Sequence, residues 1–295
     1  MSLQDISAAS SSSAPLEDSK TAATPVASPA AATAVKVPLI RQMMAVPGLL
    51  PGLTIIALLV IWELATRIFP IPSFILPAPT RIGGAIDAVP ADRWFDHVWA
   101  TLRVAMIGYV ISICIALPVA IALTRSKVVS ACLYPLLVVI QSTPVVAVAP
   151  IIIVILGSGD APRVTITFLI TFFPLVVSMT TGMMATPREL IELSQSLKAP
   201  AWREFTQIRI PYAIPYIFSG LKISITLAVI GAVVAEFVAS SQGLGFFIQF
   251  STSNFKLPQA WLGLGFLVLM SLTLFNLVVL VQRIFFPWSI PKDER

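Results

Sequence analysis

Charge is scarce in this 295-residue chain: 19 Lys/Arg and 14 Asp/Glu make up only 11% of it, against 57% hydrophobic residues and a mean hydropathy of +0.92. Those values exclude a water-soluble domain and assign the chain to a bilayer. Histidine occurs once, at His97, so metal ligation lacks a second imidazole, and neither His-Glu-x-x-His nor Gly-x-Ser-x-Gly is present. No Gly-x-x-x-x-Gly-Lys-Ser/Thr loop occurs, which excludes cradling of a nucleotide phosphate by that route; no cofactor is expected. With only Cys114 and Cys132, a disulfide framework is excluded as well. Cys114 falls inside an apolar run and Cys132 at the start of the next, depths that do not match, so both are expected to be buried, inert thiols.

What the chain does hold is long apolar runs. A helix of about 17 to 25 residues crosses about 30 Å of hydrocarbon, and six stretches qualify, near 49–69, 101–124, 132–156, 164–184, 213–239 and 259–284. None shows the alternation of barrel strands, so helices must satisfy the backbone in lipid. The expected fold is all-α: one polytopic domain of six transmembrane helices over residues 47–290, preceded by a Ser-, Ala-, Thr- and Pro-rich tail over 1–46 expected to be disordered and retained. Lys and Arg number twelve on one side and five on the other when both termini are placed inside, so both termini and the 186–211 loop are expected in the cytoplasm. Arg67 and Lys222 are left over, near helix ends from which they can snorkel. Anionic headgroups account for the net charge of +5 without nucleic acid.

Residues 188–211 gather seven of the charged side chains between two apolar runs. Thr186 as cap, Pro187 at the first helical position and Glu189 three residues after the cap predict a short helix. Leu190, Leu193 and Leu197 form one apolar stripe flanked by Glu189 and Glu192, and Pro200 stops the helix. Trp202, Phe205 and Ile208 follow at threefold spacing, and Pro211 and Pro215 are expected to break the chain before the next span. Such a helix could lie on the membrane, but a surface helix is usually rich in Lys and Arg on its polar face. Two glutamates favour docking into a groove on a partner protein.

Residues 189–215 resemble the cytoplasmic "EAA" loop of ABC importer permeases: Glu192 takes the Glu position, Ile208, Ile210 and Pro211 the Ile-x-Leu-Pro ending, and Lys198 stands in place of the motif glycine. Either Lys198 takes the left-handed turn that the glycine would relieve, at a cost of roughly 1 kcal/mol, or Pro200 terminates the helix in its place. "FILPAPTRI", "QSTPVVAVAPIIIVILGSG" and "AEFVASSQGLGF", in order along residues 49–290, resemble the nitrate/sulfonate/taurine branch of the family. The resemblance implies a solute route between two permease subunits, usually identical in this family, within the bacterial inner membrane. It also implies cytoplasmic ABC ATPase subunits seated on the Glu192 helix, with Glu189, Leu193, Leu197, Lys198 and Trp202 contributing, and a periplasmic or lipid-anchored solute-binding protein delivering solute of the nitrate, sulfonate, taurine or pyrimidine-precursor class.

Polar side chains at membrane depth are the natural candidates for the route: Gln141, Ser142 and Thr143 ahead of Pro144, Thr171 and Ser178 in the fourth run, and Ser224 in the fifth. Interhelical or backbone hydrogen bonding is the plainer role for each Ser or Thr. Glu63 and Glu236 are the acids inside spans; an ion-coupled secondary transporter would use them as relays, whereas structural pairing is the expectation here. "GSGD" at 157–160 matches the Gly-x-Gly-Asp of intramembrane aspartyl proteases, but Asp160 is the only acid between Asp96 and Glu189. That chemistry needs two carboxylates sharing a proton, so Asp160 is expected to sit in an outer loop turn.

Overall fold

The computed structural model describes residues 49–69 and 71–290, apart from the side chain of Ala239. The expected tail over 1–46 lies outside the described residues. Two units are separated, residues 1–55 and 56–295. Of the first, only the opening turns of helix α1 (Leu49–Ile68) are described, and Leu49, Leu50, Leu53 and Ile55 are exposed there.

The second unit is built of helices. After α1 come a short α2 (Pro79–Gly84), the long α3 (Ala91–Arg125), α4 (Lys127–Ser142), α5 (Val145–Leu156) and α6 (Asp160–Met184). Then follow the short α7 (Arg188–Ser196) and α8 (Ala201–Glu204), a π-helical segment at Phe205–Arg209, α9 (Ile210–Ala239), α10 (Leu244–Ser253) and α11 (Leu257–Phe285). Among the described residues, five uninterrupted stretches are long and apolar enough to cross a membrane. The sixth expected span is broken: α4 and α5 meet at 96° across Thr143–Pro144.

Packing centres on α6, which lies along α9 and α3 more extensively than any other pair. Lipid tails are as apolar as leucine, so burial of apolar surface does not drive helices together in a membrane, and close approach of backbones has to supply the dispersion energy. Small residues provide it. A Cβ added to Gly108 of α3 would lie 2.6 Å from the Thr167 side chain of α6, and one at Gly220 of α9 would lie 2.6 Å from Ser178 Cβ. One cluster joins Val104, Ala105 and Tyr109 of α3 to Ile225 and Val229 of α9 and Leu267 and Met270 of α11; a second joins Ala116 and Ala120 to Leu137, Leu175 and Met179.

Several boundaries differ from the expectations. The helices outrun the apolar runs at their polar ends, so Asp160 is the first residue of α6 and not in a loop, and His97 lies in the second turn of α3. Pro211 and Pro215 do not break the chain: Pro211 occupies a first-turn position where its missing N–H loses nothing, and Pro215 is accommodated inside α9. Lys222 lies thirteen residues beyond Arg209 and well inside α9, not near a helix end. Cys114 and Cys132 are free, as expected, but exposed; Cys114 falls on α3 between the inward positions Ser112 and Ala116, facing away from the core.

Candidate functional site

Helix α7 carries its apolar stripe outward. Leu190 is 41% exposed, Leu193 57% and Leu197 74%, with Trp202 of α8 at 75%, while Ser194, one turn on from Leu190, is buried. Glu189, Glu192 and Lys198 are exposed around the stripe. The expected cap is not made: Pro187 holds the cap position, and the buried Thr186 hydroxyl donates instead to the Met183 carbonyl at 3.0 Å, closing the end of α6. At the other end, Lys198 takes a φ of 50°, the left-handed alternative for the motif position. Its N–H donates to the Gln195 carbonyl at 2.9 Å and that of Ala199 to Ser194 at 3.0 Å, the paired bonds of a Schellman ending.

The segment after α8 is tied back to the end of α6. Arg209 Nε donates to Glu204 at 2.7 Å, its guanidinium lies 5.3 Å from the Phe205 ring centre, and Nη1 donates to the Met183 carbonyl at 3.4 Å. Arg209 thus ties the end of α6 to the π segment that leads into α9, so a push on α7 or α8 reaches both central helices.

The break between α4 and α5 is the second unusual feature. Gln141, Ser142, Thr143 and Pro144 are all exposed there. The Ser142 and Thr143 hydroxyls donate back to the carbonyls of Val138 and Val139, at 2.8 and 3.0 Å, which leaves Gln141 as the free amide at the bend. Non-helical backbone at membrane depth is tolerated only against protein or a water-filled cavity. Thr171 and Ser224, by contrast, are sealed inside: the Ser112 and Thr171 hydroxyls meet at 2.5 Å, and Ser224 donates to the Thr171 carbonyl at 3.2 Å. Ser178 is half-buried against Gly220.

Both intramembrane glutamates are engaged structurally. Glu63 accepts from Arg67 Nε at 2.7 Å and from the Thr80 N–H and hydroxyl at 3.1 and 2.9 Å, which pins α2 and the Leu-Pro-Ala-Pro segment to α1. Glu236, 1% exposed, accepts from the Thr101 hydroxyl at 3.1 Å and the Gly245 N–H at 2.7 Å. Gly243, at φ 114°, approaches so closely that an added Cβ would lie 2.2 Å from the Glu236 carboxyl carbon. That latch accounts for "QGLG" in physical terms. His97 Nδ1 accepts from the Gly243 N–H at 3.2 Å, which gives the single histidine a structural place too. Asp160 pairs with Arg103 and Arg163, two cations and no second carboxylate. Among the described residues no group of three or more His, Cys, Asp or Glu could hold a metal ion.

Sequence reasoning missed the Arg209 clamp, the Thr101 contact to Glu236 and the sharpness of the bend at Pro144. The first two join residues 26 and 135 positions apart and leave no local signal.

Comparison with known proteins agrees with this arrangement. Residues 108–289 match the family described as binding-protein-dependent transport system inner membrane component. The riboflavin transport system permease protein of Chloroflexus aurantiacus is 35% identical, over 82% of this chain and 91% of its own length. The formylaminopyrimidine transport permease protein of Halalkalibacterium halodurans is 32% identical, over 81% and 95%. Nitrate and aliphatic sulfonate permeases are also among the relatives. A methionine ABC transporter solved in an inward-facing conformation shares the fold, with a TM-score of 0.53 at 19% identity over 66% of this chain and 95% of that one. The chain therefore belongs to the multi-pass inner-membrane permease family of binding-protein-dependent ABC importers.

Proposed function

We propose that this chain forms the solute route of an ATP-driven importer in a bacterial inner membrane, with α7 seated on a separate ATPase subunit in the cytoplasm. A second copy of the chain faces it across the route, a solute-binding protein delivers solute at the opposite end, and both termini are cytoplasmic. The solute belongs to the small-molecule range spanned by the relatives, from nitrate and sulfonates to pyrimidine precursors and riboflavin.

The observation that carries this reading is the exposed stripe of Leu190, Leu193 and Leu197 on a helix that joins α6 to the segment Arg209 clamps against the end of α6. A helix that leaves its leucines uncovered in water is waiting for a groove, and that clamp lets the groove move the bundle. Glu189, Glu192 and Lys198 rim the contact, and Trp202 extends it. Gln141, Ser142 and Thr143 at the broken span line the route, with Ser178 beside them; Thr171 and Ser224 hold the wall together from behind. The chain supplies the lever and the passage, and ATP is hydrolysed on the partner.

Glu192→Lys is expected to leave membrane insertion intact while abolishing uptake and the ATPase stimulation seen with loaded binding protein in reconstituted vesicles. Unchanged stimulated ATPase would count decisively against the docking role.

A further inference from the structure

Helix α9 is continuous from Ile210 to Ala239, yet its exposed face is of two kinds. Towards the α7 end it carries Tyr212, Tyr216, Ser219, Lys222 and Thr226 at spacings of three and four, all exposed or half-exposed, with one aliphatic side chain, the exposed Ile223, set among them. Beyond Thr226 the same face turns apolar, with Ile230 and Phe237 at 53% and 41% exposure. The polar half spans fifteen residues, or about 21 Å between its ends at about 1.5 Å per residue.

Lys222 stands near the head of that strip and at mid-depth. Thirteen residues separate it from Arg209, or about 20 Å along the helix. Independently, the carbonyl of its neighbour Leu221 accepts a hydrogen bond from Tyr109 at 3.1 Å, and Tyr109 lies at the middle of the 35-residue α3. A lysine side chain reaches about 6 Å, too short to snorkel from there to either interface. None of the four ion pairs among the described residues includes Lys222, and it makes no hydrogen bond among them. A cation held unpaired at the centre of a bilayer costs about 3 kcal/mol or more in lipid, and such groups face water or a substrate pathway.

Resting on the permease reading above, we propose that the Tyr212–Thr226 strip is the wetted wall of the route's α7-side half, that Lys222 is its selectivity group, and that the transported solute is a small anion. Two copies of the chain would place two such ammonium groups along one narrow passage, each without a carboxylate to cancel it. The field of that pair in a low-dielectric wall attracts anions and repels cations. Direct contact with an oxyanion or carboxylate gives the solute in transit the hydrogen bonds that Lys222 lacks within the chain.

The test uses the permease assembled with its ATPase in vesicles, with Cys114→Ala and Cys132→Ser removing the native thiols. A thiol placed by Ser219→Cys, one turn from Lys222, is titrated with an anionic sulfonatoethyl and a cationic trimethylammonioethyl methanethiosulfonate. The anionic reagent is expected to react faster, and Lys222→Met to lower the anion-to-cation rate ratio by about 10-fold while Lys222→Arg retains it. Tyr216→Cys supplies a second reporter should Ser219→Cys fail to assemble. Absence of labelling at both positions, or a ratio indifferent to Lys222→Met, overturns the proposal. Retention of the ATPase on the same vesicles is scored separately, so loss of the α7 contact is told apart from a dry or neutral strip.

Discussion

The two ends of the bundle treat their glutamates in opposite ways. At the end where α3 begins, Glu236 is closed inside a latch of Thr101, Gly243 and Gly245. At the other end, where α3 finishes beside Met183, Glu189 and Glu192 stand in the open next to uncovered leucines. A carboxyl held by donors within the chain, as Glu236 is at Oε2, serves the fold, whereas one left beside exposed apolar surface points to something outside the chain. The contrast explains why intramembrane carboxylates, suggestive of a proton relay in isolation, are structural here, and why the exposed pair marks the working surface.

Substitutions can break that contrast, and the largest effect on stability is expected at the latch. Gly243→Val places a branched side chain at a φ of 114° and into the Glu236 carboxyl, and should cost about 3 kcal/mol or more. Thermal unfolding in detergent reads it, and a melting point within a degree of the parent would show the latch to be loose. Glu236→Ala leaves the buried Gly245 N–H without its acceptor, while the Thr101 hydroxyl keeps the His97 carbonyl, a loss of about 2 kcal/mol in the same measurement. At the opposite end the sign reverses. Lys198→Gly relieves the left-handed residue at the end of α7 and should stabilise it by about 1 kcal/mol, visible as slower hydrogen exchange of the Gln195–Ala199 amides. Smallest in stability is Leu193→Asp, expected within about 0.5 kcal/mol of the parent because the side chain is 57% exposed. Co-purification of the ATPase should nevertheless fall by an order of magnitude or more on the docking reading. A destabilised Leu193→Asp protein that still retains its ATPase would erase the distinction between the two ends.

Much of the membrane architecture was legible because the solvent is uniform: any long apolar run must be helical in lipid, whatever it packs against. Helix ends were less legible, since Ala91–Ala100 and Asp160–Arg163 extend beyond the apolar runs on polar turns that hydropathy does not count. Proline shows the limit most clearly. Pro118, Pro135, Pro150, Pro174 and Pro215 all sit inside continuous helices, whereas at Pro144 the chain turns by 96°. The residue type is the same in each case, and neighbouring helices decide whether the freed carbonyl is tolerated or the chain turns. Within the candidate site, the apolar stripe of α7 was written in its spacing, and the left-handed Lys198 was one of the two endings its motif allowed. The Thr186 cap is not made because the helix starts one residue later, with Pro187 at the cap position, and the Thr186 hydroxyl turns back to the Met183 carbonyl.

The sequence by itself determined that this chain lives in a membrane as helices and that one polar, amphipathic segment interrupts them, because hydropathy and 3.6-residue periodicity are local properties. Only the tertiary structure decided which polar groups are spent on the fold and which stay available. Thr171, Ser224 and Glu236 became interior fasteners while Gln141, Lys222 and the α7 leucines remained uncovered. Hydrogen-bond partners and covering surfaces come from residues distant along the chain, and no short stretch of sequence records them.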